Sequence, residues 1–216
     1  MAIDELVKLL KQHSVGFMPP LIDIVVAEFG HSPFLILIAC LLSLRAKDTT
    51  TVHVCRALFR KTTTPEQLLA MDRAELEIII FKTGFYKNKA QILQEVCAAI
   101  LRDFNGIVPG TYDELISIKG VGPKTANLVM AAGFGVPAIC VDTHVHRISN
   151  RLGLVQTKTV EESQVALQKV LPKKYWSTWN NLLVMWGQNI CAPISPRCSG
   201  CAIAPMCKRI GVSKSR

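Results

Sequence analysis

Residues 34–42 read FLILIACLL, an unbroken apolar run, and this run limits the fold more than any other feature of the chain. A segment that is apolar on every side has no face to offer water, so it belongs at the centre of a core with neighbours all round. It is far short of the ~20 residues that a membrane span needs, which argues against insertion in a bilayer. Elsewhere the apolar residues return at helical spacing. Leu6, Val7, Leu9 and Leu10 form one stripe, ended by Pro19 and Pro20, and Val52, Cys55, Leu58 and Phe59 form another. Asp48 is placed to cap that second helix, and Asp72/Glu75, Thr111/Glu114 and Thr159/Glu162 have the spacing of capping boxes. Apolar–polar alternation is almost absent, so an all-α protein of about ten helices is expected.

With 216 residues, half of them apolar, the chain can bury a large core, which excludes disorder, collagen-like repeats and coiled coil. No repeat of 20–50 residues and no low-complexity linker is visible. The one compositional seam is Gly133-Phe-Gly-Val-Pro137. Lys and Arg number 25 against 16 Asp and Glu, a net +9 that favours a polyanionic partner such as nucleic acid or an anionic membrane surface. Asp4 and Glu5 follow the start directly, so no secretory leader is expected and an intracellular setting is.

Eight cysteines divide into two groups. Cys40, Cys55, Cys97 and Cys140 are scattered and read as small buried hydrophobes. Cys191-x6-Cys198-x2-Cys201-x5-Cys207 crowds the C-terminal end and reads as one metal centre rather than a disulfide framework. Structural zinc usually takes two C-x2-C knuckles or mixed Cys and His, and only one such knuckle is present. One close pair with longer flanking loops favours a [4Fe–4S] cubane, with zinc or another centre as alternatives.

The chemistry concentrates in residues 111–133, TYDELISIKGVGPKTANLVMAAG. Thr111 caps a short helix, Lys119-Gly-Val-Gly122 makes a tight turn, and Pro123 opens a second helix with Ala126, Val129 and Met130 inward. Gly120 and Gly122 permit backbone that a Cβ would block and leave amides uncovered beside a helix start, an arrangement that grips phosphate. A glycine-turn packing hairpin is the plainer alternative. Lys124 lies in the first turn of the second helix, where the positive helix end disfavours an ammonium; if partly buried, it would have its nucleophilic neutral form favoured. Further on, Val141-Asp-Thr-His-Val-His-Arg147 lets Asp142 cap the next helix. An ionised carboxylate near an amine suits cleavage of an N-glycosidic bond, whose transition state places positive charge on the sugar. His144 and His146 read as packing or hydrogen-bonding residues, and Arg147 and Arg151 as a solvated face.

Residues 118–127 (IKGVGPKTAN), the run Val141-Asp-Thr-His144 and the C-x6-C-x2-C-x5-C tail together resemble the endonuclease III family of helix-hairpin-helix DNA glycosylases. Leu41-Leu-Ser43, Lys82-Thr-Gly-Phe-Tyr86 and Asn88-Lys-Ala90 stand in the same order, so the resemblance spans residues 34–207. It implies two helical lobes flanking a DNA cleft: a six-helix barrel at 26–136 with the hairpin at 111–133, and a discontinuous lobe of 1–25 plus 137–216 carrying the [4Fe–4S] loop at 191–207. It further implies a base-excision enzyme that extrudes oxidised pyrimidines from duplex DNA and also cleaves abasic sites. Lys124 would attack C1′ to form a Schiff base that leads to β-elimination, and Asp142 would move a proton and stabilise the cationic sugar. Cys191, Cys198, Cys201 and Cys207 would hold a structural cluster. Gly120, Gly122, His144 and Arg197 would contact DNA, and Arg45 and Phe85 would enter the space vacated by the extruded base. A monomer acting on double-stranded DNA is expected, in a prokaryotic cytoplasm at the nucleoid, or else in a nucleus or mitochondrion.

Four positions depart from the common pattern: Arg45 stands where an amide is frequent, Lys119 replaces a proline, Ile116 takes a place that can carry an acid, and the cluster loop has Arg197 as its one basic residue. None touches Lys124, Asp142 or the cysteines, so drift is expected in lesion range rather than in chemistry. The adenine-removing relatives carry an acid where this chain has Ala39 and lack the lysine. The alternatives are a predominant abasic-site lyase with weak glycosylase activity, a non-catalytic DNA-scanning module, or an electron carrier.

Overall fold

The structure, a computed structural model, describes residues 2–216, and among them it is helical without a strand. Twelve α-helices are present among the described residues, two more than the ten or so expected, because the chain is cut into several one-turn and two-turn pieces. It divides into two compact units: one joins the N-terminal residues through Pro20 to Pro137–Arg216, and the other is Leu21–Val136. The first seam falls at Pro20 rather than after residue 25. The Pro19–Pro20 pair ends the preceding segment, and the helix that follows packs on its two successors. Among the described residues no helix is long and apolar enough to cross a membrane.

Helix α1 (Ile3–His13) buries Leu6, Val7 and Leu10 in the first unit. The second unit then runs α2 (Leu21–Phe29), α3 (Pro33–Ser43), α4 (Asp48–Phe59), α5 (Pro65–Ala70), α6 (Arg73–Ile80), α7 (Tyr86–Asp103), α8 (Tyr112–Ser117) and α9 (Pro123–Leu128). Its centre is α3. Ser32 caps it by accepting the Leu35 amide at 3.3 Å, Pro33 opens it, and every residue from 34 to 42 is buried. With ~1.5–3 kcal/mol per fully buried large side chain, no other helix contributes as much apolar burial per residue. Helices α2, α4, α7 and α9 cover it.

The capping expectations are met in part. Thr111, Asp72 and Thr159 each accept amides at their N-caps, although the return bonds of full capping boxes do not form. Glu75 instead pairs with Lys61, and Glu162 accepts from the Lys158 amide. Asp48 does not cap α4: the N-cap is Lys47, and Asp48 is the first helical residue, where its charge still complements the helix end. After α9 the chain widens into a π-turn at Val129–Gly133, and a Cβ on Gly133 would come within 3.1 Å of Pro33 Cα. Glycine there lets the start of α3 lie close against that turn.

The first unit resumes with α10 (Thr143–Leu152), α11 (Val160–Val170) and α12 (Trp176–Asn189). Its core gathers Leu6 and Leu10 with Val145, Ile148, Trp179 and Trp186.

Candidate functional site

In the hairpin, the Val121 amide donates to the Ile118 carbonyl at 3.0 Å, which closes the turn between α8 and α9. The two glycines have different reasons to be there. Gly120 holds φ +99°, and a Cβ on it would meet Ile92 Cγ2 at 2.9 Å. Gly122 has φ −95°, and a Cβ there would meet nothing within 4 Å, so the expectation of forbidden backbone holds at Gly120 and fails at Gly122. Space inside the protein does not explain Gly122.

Lys124 is the second residue of α9 and is exposed, so the partial burial weighed above is not there. Its charge is felt by Cys40 on the central helix. Burial pushes that thiol up to about 12, and Lys124 pulls the other way. Asp142 lies in the other unit, as the N-cap of α10, with Oδ1 accepting the His144 and Val145 amides at 2.9 and 3.0 Å. Capping holds the carboxylate in one orientation at the head of α10.

Arg45 and Phe85 come together. The Arg45 guanidinium lies 5.8 Å from the Phe85 ring centroid, a cation–π arrangement. Both residues sit in the left-handed region, at φ 56° and 49°, and Phe85 is 66% exposed. An exposed aromatic in a conformation that costs ~1–3 kcal/mol is held there by its surroundings.

The four C-terminal cysteines line one cavity, together with Trp186 and Arg151. Among the described residues no three His, Cys, Asp or Glu side chains converge to hold a single metal ion. Burial raises the Cys201 and Cys207 thiols, and the other cysteines raise them further: Cys191 and Cys207 act on Cys201, Cys191 and Cys198 on Cys207. Trp186 has a buried indole N–H with no hydrogen-bond partner, which favours the Cys201 thiolate without closing a full bond to it. Arg197 is exposed and lines the same cavity, with its own amide bonded to the Ile190 carbonyl at 3.0 Å.

Arg147 and Arg151 are not a solvated face. Arg151 is 8% exposed and donates to Cys191 Sγ at 3.3 Å and to the Ala192 and Pro193 carbonyls at 2.7 Å each. Arg147 donates to the Cys191 carbonyl at 2.9 Å and to His144 Nδ1 at 3.1 Å. Burial lowers its pKa, Cys191 and Asp142 support its charge, and Arg151 opposes it. Gly187 on α12 makes room, since a Cβ there would overlap His144 Nδ1 and Arg147 Nη2. Sequence reasoning also missed Lys89, which is 6% exposed on α7. The signal was available: Lys89 shares the helical face of Leu93, Val96, Cys97 and Ile100, where a solvated lysine has no place.

Residues 38–173 match the model of the HhH-GPD superfamily base excision DNA repair proteins. The chain belongs to that family. Endonuclease III of Thermotoga maritima is 41% identical over 176 residues, 82% of this chain and 83% of its own. Endonuclease III of Bacillus subtilis is 41% identical over 183 residues, 84% of each. Among solved structures, a trapped endonuclease III–DNA covalent intermediate superposes with a TM-score of 0.79 at 34% identity, covering 97% of both chains. A thermostable thymine-DNA glycosylase, at 22% identity and a TM-score of 0.75, shares the fold. Within the family the chain is of the endonuclease III kind, a base excision repair enzyme with a wholly helical fold.

Proposed function

We propose that this protein removes oxidised pyrimidines from duplex DNA and then cleaves the strand at the resulting abasic site, with Lys124 as nucleophile and Asp142 as its carboxylate partner. The observation that carries the reading is the placement of Lys124: an exposed amine in the first helical turn after a glycine hairpin, in a chain that matches a relative trapped covalently on DNA along nearly its whole length. The Lys124 Nζ–C1′ bond forms as the glycosidic bond breaks, and the base leaves with the bonding pair and takes up a proton. Opening of the sugar ring gives an iminium between Nζ and C1′. Loss of a C2′ proton then expels the 3′ phosphate, and water releases the lysine. Asp142, its carboxylate oriented by two amide bonds, would stabilise the positive charge that develops on the sugar.

Gly122 supports the phosphate grip: a Cβ there would stand in open space, on the side from which a backbone phosphate would approach the start of α9. His144 and Arg197 add polar and cationic contacts, and Arg45 and Phe85 fill the vacated stack. Cys191, Cys198, Cys201 and Cys207 would hold a [4Fe–4S] cluster. The residues fit it: four thiols line one cavity, and the buried Trp186 N–H beside them has no hydrogen-bond partner, which an acceptor held among the thiols would supply. Such a cluster supplies cross-linking of the loop and screens the thiolates from one another. Lysine chemistry on the sugar needs no electron from it.

Borohydride reduction during reaction with abasic duplex is expected to trap a covalent complex that Lys124→Ala abolishes. Absence of any adduct with the wild type would leave a DNA-scanning module. Asp142→Asn is expected to slow turnover far more than it weakens DNA binding.

A further inference from the structure

Lys89 is the most deeply buried cation of α7, and its contacts are to main chain from two other places. Nζ donates to the Leu42 carbonyl at 2.7 Å and to the Thr83 carbonyl at 2.9 Å. Leu42 lies in the last turn of α3, where carbonyls have no partner within the helix and a cation complements the negative helix end. Arg45 follows in the turn that this carbonyl anchors. Thr83 closes the 3-10 turn at Phe81–Thr83, immediately before Gly84 and Phe85. The main chain of Lys89 adds a third tie, its amide donating to the Phe85 carbonyl at 3.0 Å. One residue thus grips both left-handed turns, and the side chains those turns present lie 5.8 Å apart as a cation–π pair.

We propose that Lys89 is a positioning residue for base extrusion, stapling the Arg45 turn to the Phe85 turn so that the two side chains enter the DNA stack as one preformed wedge. The proposal rests on the assignment of Arg45 and Phe85 to the vacated stack. Each strained turn alone would relax. Held by a common ammonium, neither moves without breaking a buried charge-assisted bond, and the wedge meets DNA without a further ordering cost. A methionine of similar length would fill the space and leave both carbonyls unpaired, so the effect belongs to the ammonium and not to the volume.

The experiment compares wild type, Lys89→Met, Phe85→Ala and the double variant on two duplexes, one bearing thymine glycol beside 2-aminopurine and one bearing an abasic site. Extrusion is read by 2-aminopurine fluorescence, base release and strand cleavage by separate product assays. Lys89→Met is expected to lose the fluorescence rise and about tenfold in base release, while cleavage at the abasic site, with no base to extrude, stays within about threefold. In the Phe85→Ala background the same change is expected to add less than about twofold, because the wedge is already gone. Equal losses on both duplexes, full additivity, or a wild-type fluorescence rise in Lys89→Met would each overturn the proposal. Should Lys89→Met not fold, Lys89→Gln, which keeps one donation, goes through the same comparison and the same outcomes decide. If the wild type neither releases base nor forms the borohydride adduct, it is the proposed function that fails and not the staple.

Discussion

Removal of the buried Arg151 guanidinium is expected to loosen the cysteine loop. Its Nη1 and Nη2 hold the Ala192 and Pro193 carbonyls at 2.7 Å, Nη1 reaches Cys191 Sγ at 3.3 Å, and solvent touches only 8% of the residue. Two charge-assisted bonds at ~1.5 kcal/mol or more each, a weaker one to sulfur, and two carbonyls left without donors give roughly 3–5 kcal/mol for Arg151→Met. Little solvent discount applies to a group this buried. Arg151→Lys is expected to recover only part of this, since one ammonium cannot present the planar fork that spans both carbonyls. The assay is urea unfolding followed by tryptophan fluorescence, which Trp179 and Trp186 report from within the same unit, alongside retention of the visible absorption expected of the proposed iron–sulfur cluster. A loss below about 1 kcal/mol with the chromophore retained would refute the argument that these bonds hold the loop.

Gly122→Ala is expected to leave the melting temperature within error and to weaken DNA binding, whereas Gly120→Ala, forced against Ile92 at a positive φ, is expected to cost ~1–3 kcal/mol of stability; differential scanning and a binding titration separate the two. Gly187→Ala is expected to push the His144 ring and the Arg147 guanidinium aside and cost ~1–3 kcal/mol, with loss of the Arg147–Cys191 carbonyl bond visible by crystallography. Burial brings Lys89 down from 10.5 to about 8, so between pH 8 and 10.5 the unfolded chain binds the extra proton. Stability of the wild type relative to Lys89→Met therefore rises across that window, by at most ~1.4 kcal/mol per pH unit, and denaturant titrations at three pH values check the sign. Binding to duplex DNA is expected to weaken steeply with added salt, and a flat response would remove the phosphate grip.

What could be read from the sequence divides along a physical line. The central helix, the hairpin and the gathering of the four C-terminal cysteines were legible because each rests on local order: an all-round apolar run, a turn that needs Gly120, and thiols close in the chain. Asp142 was legible as a cap for the same reason. Arg147, Arg151 and Lys89 were not, because what defines them is which carbonyls lie opposite, and Arg151 finds its partners some forty residues away in the sequence. The i, i+4 spacing of the two arginines says they share a face of α10 but not whether that face meets water. The exposure of Lys124 was likewise set by packing around the hairpin and not by its neighbours in sequence.

One unit of this protein is written on both sides of the other. During synthesis, α1 leaves the ribosome before the whole of Leu21–Val136, yet the residues that cover Leu6 and Leu10 leave after it. The intervening unit has its own centre in α3 and can condense while α1 is still waiting, an exposed amphipathic helix without a partner. A ribosome that stalls before α10 would therefore leave one finished unit and a bare α1, its apolar stripe still without cover.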